Sequence, residues 1–184
     1  MNSNYRGLAS ATFALTMVIL QFGFLRLSTS EMAVRVVLPA TIVAVPVALW
    51  VYRDRVGVWV MYVGLVANLA PILANGGLMP IRHASVVEAI GEERAARYEV
   101  GSWIPGSKDV LVPNDGGRLT GLGDQIVIRV GSGGLIVSPG DLVVWAGLLV
   151  LVAEASLAWQ RRQRAERSLT SVRAAAEGGA VTQA

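Results

Sequence analysis

Residues able to do chemistry fall in two groups in this chain. Gln21, Tyr62, Asn68 and Glu154 stand inside long apolar stretches. A polar side chain is costly to bury in hydrocarbon, so each is a candidate for moving protons or ions, or for holding helices together. His83, Asp109, Asp124 and Asp141 lie between the third and fourth apolar stretches. They would carry acid–base or ligand chemistry if this part of the chain were an enzyme or a binding module. Asp124 and Asp141 stand seventeen residues apart in the related phrases LGDQIV (122–127) and PGDLVV (139–144), a weak local repeat. A lone histidine leaves no pair for a bis-histidine haem, and the absence of cysteine removes thiolate catalysis, disulfides and Cys-ligated zinc or iron–sulfur clusters. No catalytic residue, metal site or cofactor is assigned.

Four apolar blocks position these residues. Residues 7–25 give 19 uncharged positions, 36–52 give 17, 56–75 give 20, and 142–159 give 18 with the single acid Glu154. Each approaches the ~20 residues that a helix needs to cross a ~30 Å hydrocarbon core. Continuous apolar runs do not alternate as barrel strands do, and lipid admits only helices or closed barrels. The composition agrees: 53% hydrophobic and 16% charged, against about 25% charged in soluble domains. The expected fold is an all-α membrane protein of four transmembrane helices, with a ~65-residue extramembrane segment between helices three and four, built from a short helix and a small β-rich part. The expected division is a three-helix membrane region at 1–75, an extracytoplasmic segment at 76–140, a fourth span at 141–160 and a basic, partly disordered tail at 161–184. The first block is longer than a usual signal-peptide core and no A-x-A pattern follows it, so it reads as a retained anchor.

Arginine near span ends sets orientation. The tail carries Arg161, Arg162, Arg164 and Arg167, which places the C-terminus, the N-terminus and the 53–55 turn inside, against the opposing pull of Arg26 and Arg35. The tail's five arginines and two acids read as anchor charges; base-reading aromatics are absent, so no nucleic-acid partner is expected. Trp50, Tyr52, Trp59, Trp145 and Trp159 lie near span ends, as belt residues do.

On this topology Gln21 and Asn68 lie ~21 and ~18 Å from the inner surface, level enough to pair. Such a bond contributes ~0.6 kcal/mol, which is adhesion between helices. Glu154 lies ~9 Å inside the boundary, with its Cα–Cβ bond tilted away from the cytosol. Either it is protonated or a partner meets it, and Tyr62, at the same depth, is the expected donor. Arg53 or Arg55 could reach partway. Pro39, Pro46 and Pro71 are expected to bend their helices.

In the long segment, Ser85 to Glu88 has the form of a capping box opening a helix to about Tyr98, with Gly91 as its weak point. Turn signals at 104–106, 114–117 and 131–134 flank β-rich stretches at 110–112, 126–130 and 135–137, the last two able to form a hairpin. Neither a phosphate loop nor a dinucleotide fingerprint is present, so the glycines read as turns. Ser138-Pro139-Gly140-Asp141 puts a capping hydroxyl, a proline and a carboxylate in order for a helix start.

The stretch NLAPILANGGLMP at 68–80, followed by LGD at 122–124 and SPGD at 138–141 leading into the last apolar span, resembles an uncharacterised bacterial membrane family, domain of unknown function 5317. In that family an N-G-G-x-M-P phrase closes one span, and L-G-D and S-x-G-D phrases precede the last. The resemblance covers about residues 56–155 and implies membrane placement, with no activity attached. Its motif positions here are Asn75, Gly76, Gly77, Met79, Pro80, Gly123, Asp124, Ser138, Gly140 and Asp141. They read as a helix C-cap at Asn75 and Gly76 and an N-cap at Ser138 and Asp141. The rival reading has Asn75, Asp124 and Asp141 converge on a cation or polar ligand, because hard cations prefer carboxylate and carbonyl oxygens.

The expected function is a non-enzymatic accessory or scaffold subunit of a larger assembly in the bacterial inner membrane, with the lipid bilayer and other membrane subunits as partners. The alternative is a small membrane-anchored enzyme or ligand-binding module with its site in 76–141. A transporter is weakened by four short spans, one buried acid and no clear inverted repeat.

Overall fold

The computed structural model describes residues 12, 16, 19, 21, 23–131 and 133–181. Of the expected first span, Thr12, Thr16, Ile19, Gln21 and 23–25 are among these and are helical. The rest of 7–25 lies outside the described residues, and the reading of it as a span and anchor with it.

Among the described residues, three helices are long and apolar enough to cross a membrane: Glu31–Tyr52, Val56–Ala74 and Pro139–Arg161. This is the make-up of a membrane protein. Helix α1 (Glu31–Leu49) starts five residues before the expected span because Ser30 caps it, its hydroxyl accepting from Ala33 N at 3.3 Å. At its end the ladder tightens into a 3₁₀ turn, Trp50–Tyr52, with Trp50 N donating to Val47 O. Helix α2 (Val56–Ala74) closes on Asn75, and Gly76 and Gly77 follow with φ of +69° and +94°. Gly77 N donates to Ile72 O at 2.8 Å and Gly76 N to Leu73 O at 3.3 Å, the paired bonds of a Schellman ending that needs glycine at its left-handed position. The expected C-cap is therefore present.

Strand β1 (Met79–Arg82) pairs in parallel with β2 (Asp109–Val112), with Met79 opposite Asp109 and Ile81 opposite Leu111. Between them run α3 (His83–Ile90) and α4 (Glu92–Ala95). The expected helix start at Ser85 is corrected: α3 opens two residues earlier, and Asn114 Oδ1 accepts from Ala84 N at 2.8 Å, replacing the local box with a cap from a distant loop. The helix breaks at Gly91, whose φ is +84°. The hairpin forms as expected, β3 (Ile126–Val130) antiparallel to β4 (Gly133–Val137), with Ile126 opposite Val137. The β1–β2 ribbon is the hub of the core. Met79 packs with Leu38, Ile42 and Ile72 of the long helices, while Ile81 and Leu111 pack with Val86 and Ala95.

Helix α5 (Pro139–Val181) continues into the basic tail. Its alanine, arginine and glutamate content favours helix. Helices α2 and α5 meet through glycines at heptad spacing. A Cβ on Gly64 would lie 2.7 Å from Gly140 O, and one on Gly57 2.7 Å from Gly147 O. Small residues let two backbones approach in this way at membrane-helix interfaces.

Candidate functional site

Where α2, the start of α5 and the β1–β2 ribbon meet, polar side chains from distant parts of the chain converge. The start of α5 is the capping box read from the sequence. Asp141 N donates to Ser138 Oγ at 2.9 Å, and Ser138 N donates to Asp141 Oδ2 at 3.1 Å. Asn68, two turns before the end of α2, completes it: Ser138 Oγ donates to Asn68 Oδ1 at 2.7 Å, and Asn68 Nδ2 donates to Asp141 Oδ1 at 2.7 Å. Ser138 is fully buried and Asn68 nearly so.

The expected pairing of Asn68 with Gln21 is thereby corrected. Both ends of its amide are used on α5. The start of α5 comes level with Asn68 because Gly64 and Gly140 let the two backbones touch.

Lys108 joins this cap to the ribbon. Its Nζ lies 3.0 Å from Asp124 Oδ1 and 3.6 Å from Asp141 Oδ2. Asp124 is held in place by its own backbone, Asp124 N donating to Pro80 O at 3.0 Å, so that it flanks β1 on the edge opposite β2. Asp109, the first residue of β2, brings a third carboxyl within hydrogen-bonding reach of Asp124, and its Oδ1 is buried without a partner.

The electrostatics follow from one cation among three carboxyls. Burial lowers the affinity of Lys108 for its proton, but the charges of Asp124, Asp109 and Asp141 outweigh that and hold the ammonium well above the usual lysine range. Burial, reinforced by the adjacent Asp124, pushes the Asp109 carboxyl up to about 8. Asp124 is also raised, by burial first, with Lys108 opposing. At neutral pH Asp109 therefore holds its proton beside the Lys108 ammonium.

Of the sequence candidates, Asp124 and Asp141 do converge on a cation, and that cation is the chain's own lysine. Asn75 is elsewhere: its amide donates to Pro71 O and Arg118 O and accepts from Arg118 N, closing α2. Arg35 adds to that closure, its guanidinium donating to Gly76 O at 2.6 Å while Glu31 holds it at 2.6 Å, a cation at a helix C-terminus. His83 follows the far end of β1, four residues along from Met79 and so ~13 Å away along the strand. Among the described residues no three His, Asp or Glu side chains are arranged to hold a metal ion.

The remaining intramembrane candidates sit at the other end of the helix pair, and their expected bond to each other is corrected. Glu154 accepts from Val56 N at 3.1 Å and Gly57 N at 3.3 Å, so a side chain of α5 caps the start of α2. Tyr62 donates instead to Pro46 O at 2.7 Å. That carbonyl is open because Trp50 N has turned to Val47 O. Trp59 stacks edge-on against both Trp50 and Tyr62, and Arg53 lies 5.4 Å above the Trp50 ring.

Lys108 is the residue that sequence reasoning missed. A signal existed: it is the one lysine in a chain whose other fifteen cationic side chains are arginine. An ammonium is a compact point charge with three donors on one nitrogen, which suits a place between carboxylates that approach from different elements.

A model of a family of unknown function (DUF5317) matches residues 5–153, and the chain belongs to that family. No curated protein and no solved structure matches it.

Proposed function

We propose that this member of a family of unknown function is a multipass protein of the bacterial inner membrane that works as an accessory or scaffold subunit of a larger membrane complex. In this reading residues 7–25 add a fourth span to the three apolar helices, both termini are cytoplasmic, and the segment 76–140 stands outside as the contact surface. The arginines after Trp159 support this orientation.

The observation that carries the scaffold reading is how the polar cluster uses its groups. Lys108, Asp124, Asp141, Ser138 and Asn68 satisfy one another across three elements. An active site keeps groups free to meet a substrate, whereas these groups hold the outer segment on the helix pair. The buried, unpartnered Oδ1 of Asp109 favours a second reading, a small membrane-anchored binding module with its site in 76–141.

Extraction in a mild detergent, followed by sizing and identification of co-purifying chains, tests the proposal. A defined complex with other membrane subunits is expected. A lone monomer that binds a metal or small molecule would overturn it in favour of the binding module.

A further inference from the structure

Three carboxyls and one ammonium cannot all be charged in a buried cluster without a large penalty, because a single cation leaves two of the carboxylates uncompensated. The fold forces the crowding. Asp109 is fixed opposite Met79 by the β1–β2 register, Asp124 is fixed on the other edge of β1 by its bond to Pro80 O, and Asp141 is fixed by the α5 capping box. Lys108 touches Asp124 and Asp141, while Asp109 Oδ1 is buried with no partner. The charged groups facing Asp109 and Asp124 are thus Lys108, from the approach to β2, and Asp141, from α5. Helix α2 contributes the neutral Asn68, and the surrounding loops the neutral Ser107 and Ser138.

We propose that the Asp109–Asp124 carboxyl pair is a proton-operated latch. With one proton on the pair, the ribbon stays docked on α2 and α5; loss of that proton in alkaline solution adds a second uncompensated charge and loosens the docking. The latch is intramolecular, so it stands whether or not a partner subunit is found. The seam it controls is the one that Lys108 closes between the ribbon and the helix pair, and a segment released there would present Lys108 and Asp124 to solvent.

The test uses the full chain in lipid vesicles at about pH 6 and about pH 10, two units either side of the Asp109 value of about 8. Infrared spectroscopy reads protonated carboxyl directly. The chain has no cysteine, so spin labels at Gly121→Cys and Val66→Cys, both exposed positions, report the distance between the outer segment and α2. The expected result is a protonated-carboxyl band at the lower pH that is lost at the higher, together with a longer or broader label distance. Asp109→Asn, which cannot ionise, should lack the band and keep the short distance at both pH values. Absence of the band in the unmodified protein at pH 6, or its loss with no change in distance, would overturn the proposal. Those two readings stand without the variant, should it fail to fold.

Discussion

Asp124 Oδ1 lies 3.0 Å from Lys108 Nζ, and the two residues come from opposite edges of strand β1. Lys108 precedes β2 and Asp124 precedes the hairpin, so their contact wraps β1 between them. The same ammonium reaches Asp141 at the start of α5. One side chain therefore connects the ribbon, the hairpin's approach and the membrane-length helix.

Removing that cation should be costly. Lys108→Met is expected to destabilise the protein by about 3–5 kcal/mol, the usual loss when one partner of a buried pair is deleted and the other charge is left alone. Lys108→Arg should recover only part of it, since a guanidinium is larger and planar. Thermal unfolding in detergent measures both. Equal stability of Lys108→Arg and the unmodified chain would mean that the ammonium's compactness is irrelevant.

Gly64→Ala and Gly147→Ala are each expected to cost about 1–3 kcal/mol, because the added methyl would meet facing backbone, Gly140 O and Val144 N in the first and Met61 N and Gly57 O in the second, as well as the Val144 and Met61 side chains. Gly133→Ala has open space at its Cβ and serves as a control. Cross-linking between cysteines placed on α2 and α5 should lose efficiency in the first two variants and not in the third.

At the other end of the pair, Glu154→Gln keeps an acceptor for Val56 N and Gly57 N and should leave expression and assembly intact. Glu154→Ala removes the cap and should cost about 0.5–2 kcal/mol. Collapse of assembly in Glu154→Gln would show instead that the charge itself is required, through the field of the helix N-terminus.

The start of α5 was legible in the sequence because its capping box is local: Ser138 and Asp141 satisfy each other three residues apart. Strands β3 and β4 were legible for the same reason, with a tight glycine turn between two β-rich runs. Three apolar helices followed from length alone. What stayed hidden depends on distant partners. Strand β1 is four residues containing Pro80, with no alternation to mark it, and exists because β2 and Asp124 pair with its edges. The start of α3 is set by Asn114 from another loop, and the partner of Asn68 by glycines that bring α5 close. The convergence of Asp124 and Asp141 was only the rival reading of these positions, with Asn75 as the third member; Lys108 stayed hidden because it is remote from both in sequence.

Stability should fall as pH rises from mildly acidic to alkaline. The folded Asp109 carboxyl is raised from 3.8 to about 8. The folded state thus binds the extra proton in that window, and the contribution is full below about 4 and lost as pH passes about 8. Asp124 shifts in the same direction. The raised Lys108 contribution is full below about 10.5 and is lost progressively as pH climbs above it. Melting temperatures across pH 4 to 9 should therefore decline by several degrees, and Asp109→Asn should flatten the slope, at about 1.4 kcal/mol per unit for one group. A maximum near pH 8 would contradict the sign.

The single lysine permits the most direct measurement. Amine acylation of the folded chain in vesicles, read by mass spectrometry at Lys108 against a free lysine peptide in the same tube, reports whether that ammonium is engaged by carboxylates. Strong protection at neutral pH is expected, relieved in Asp124→Asn. Acylation of Lys108 as fast as the free peptide would show that no such engagement exists, and the cluster joining the outer segment to the helices would have to be abandoned.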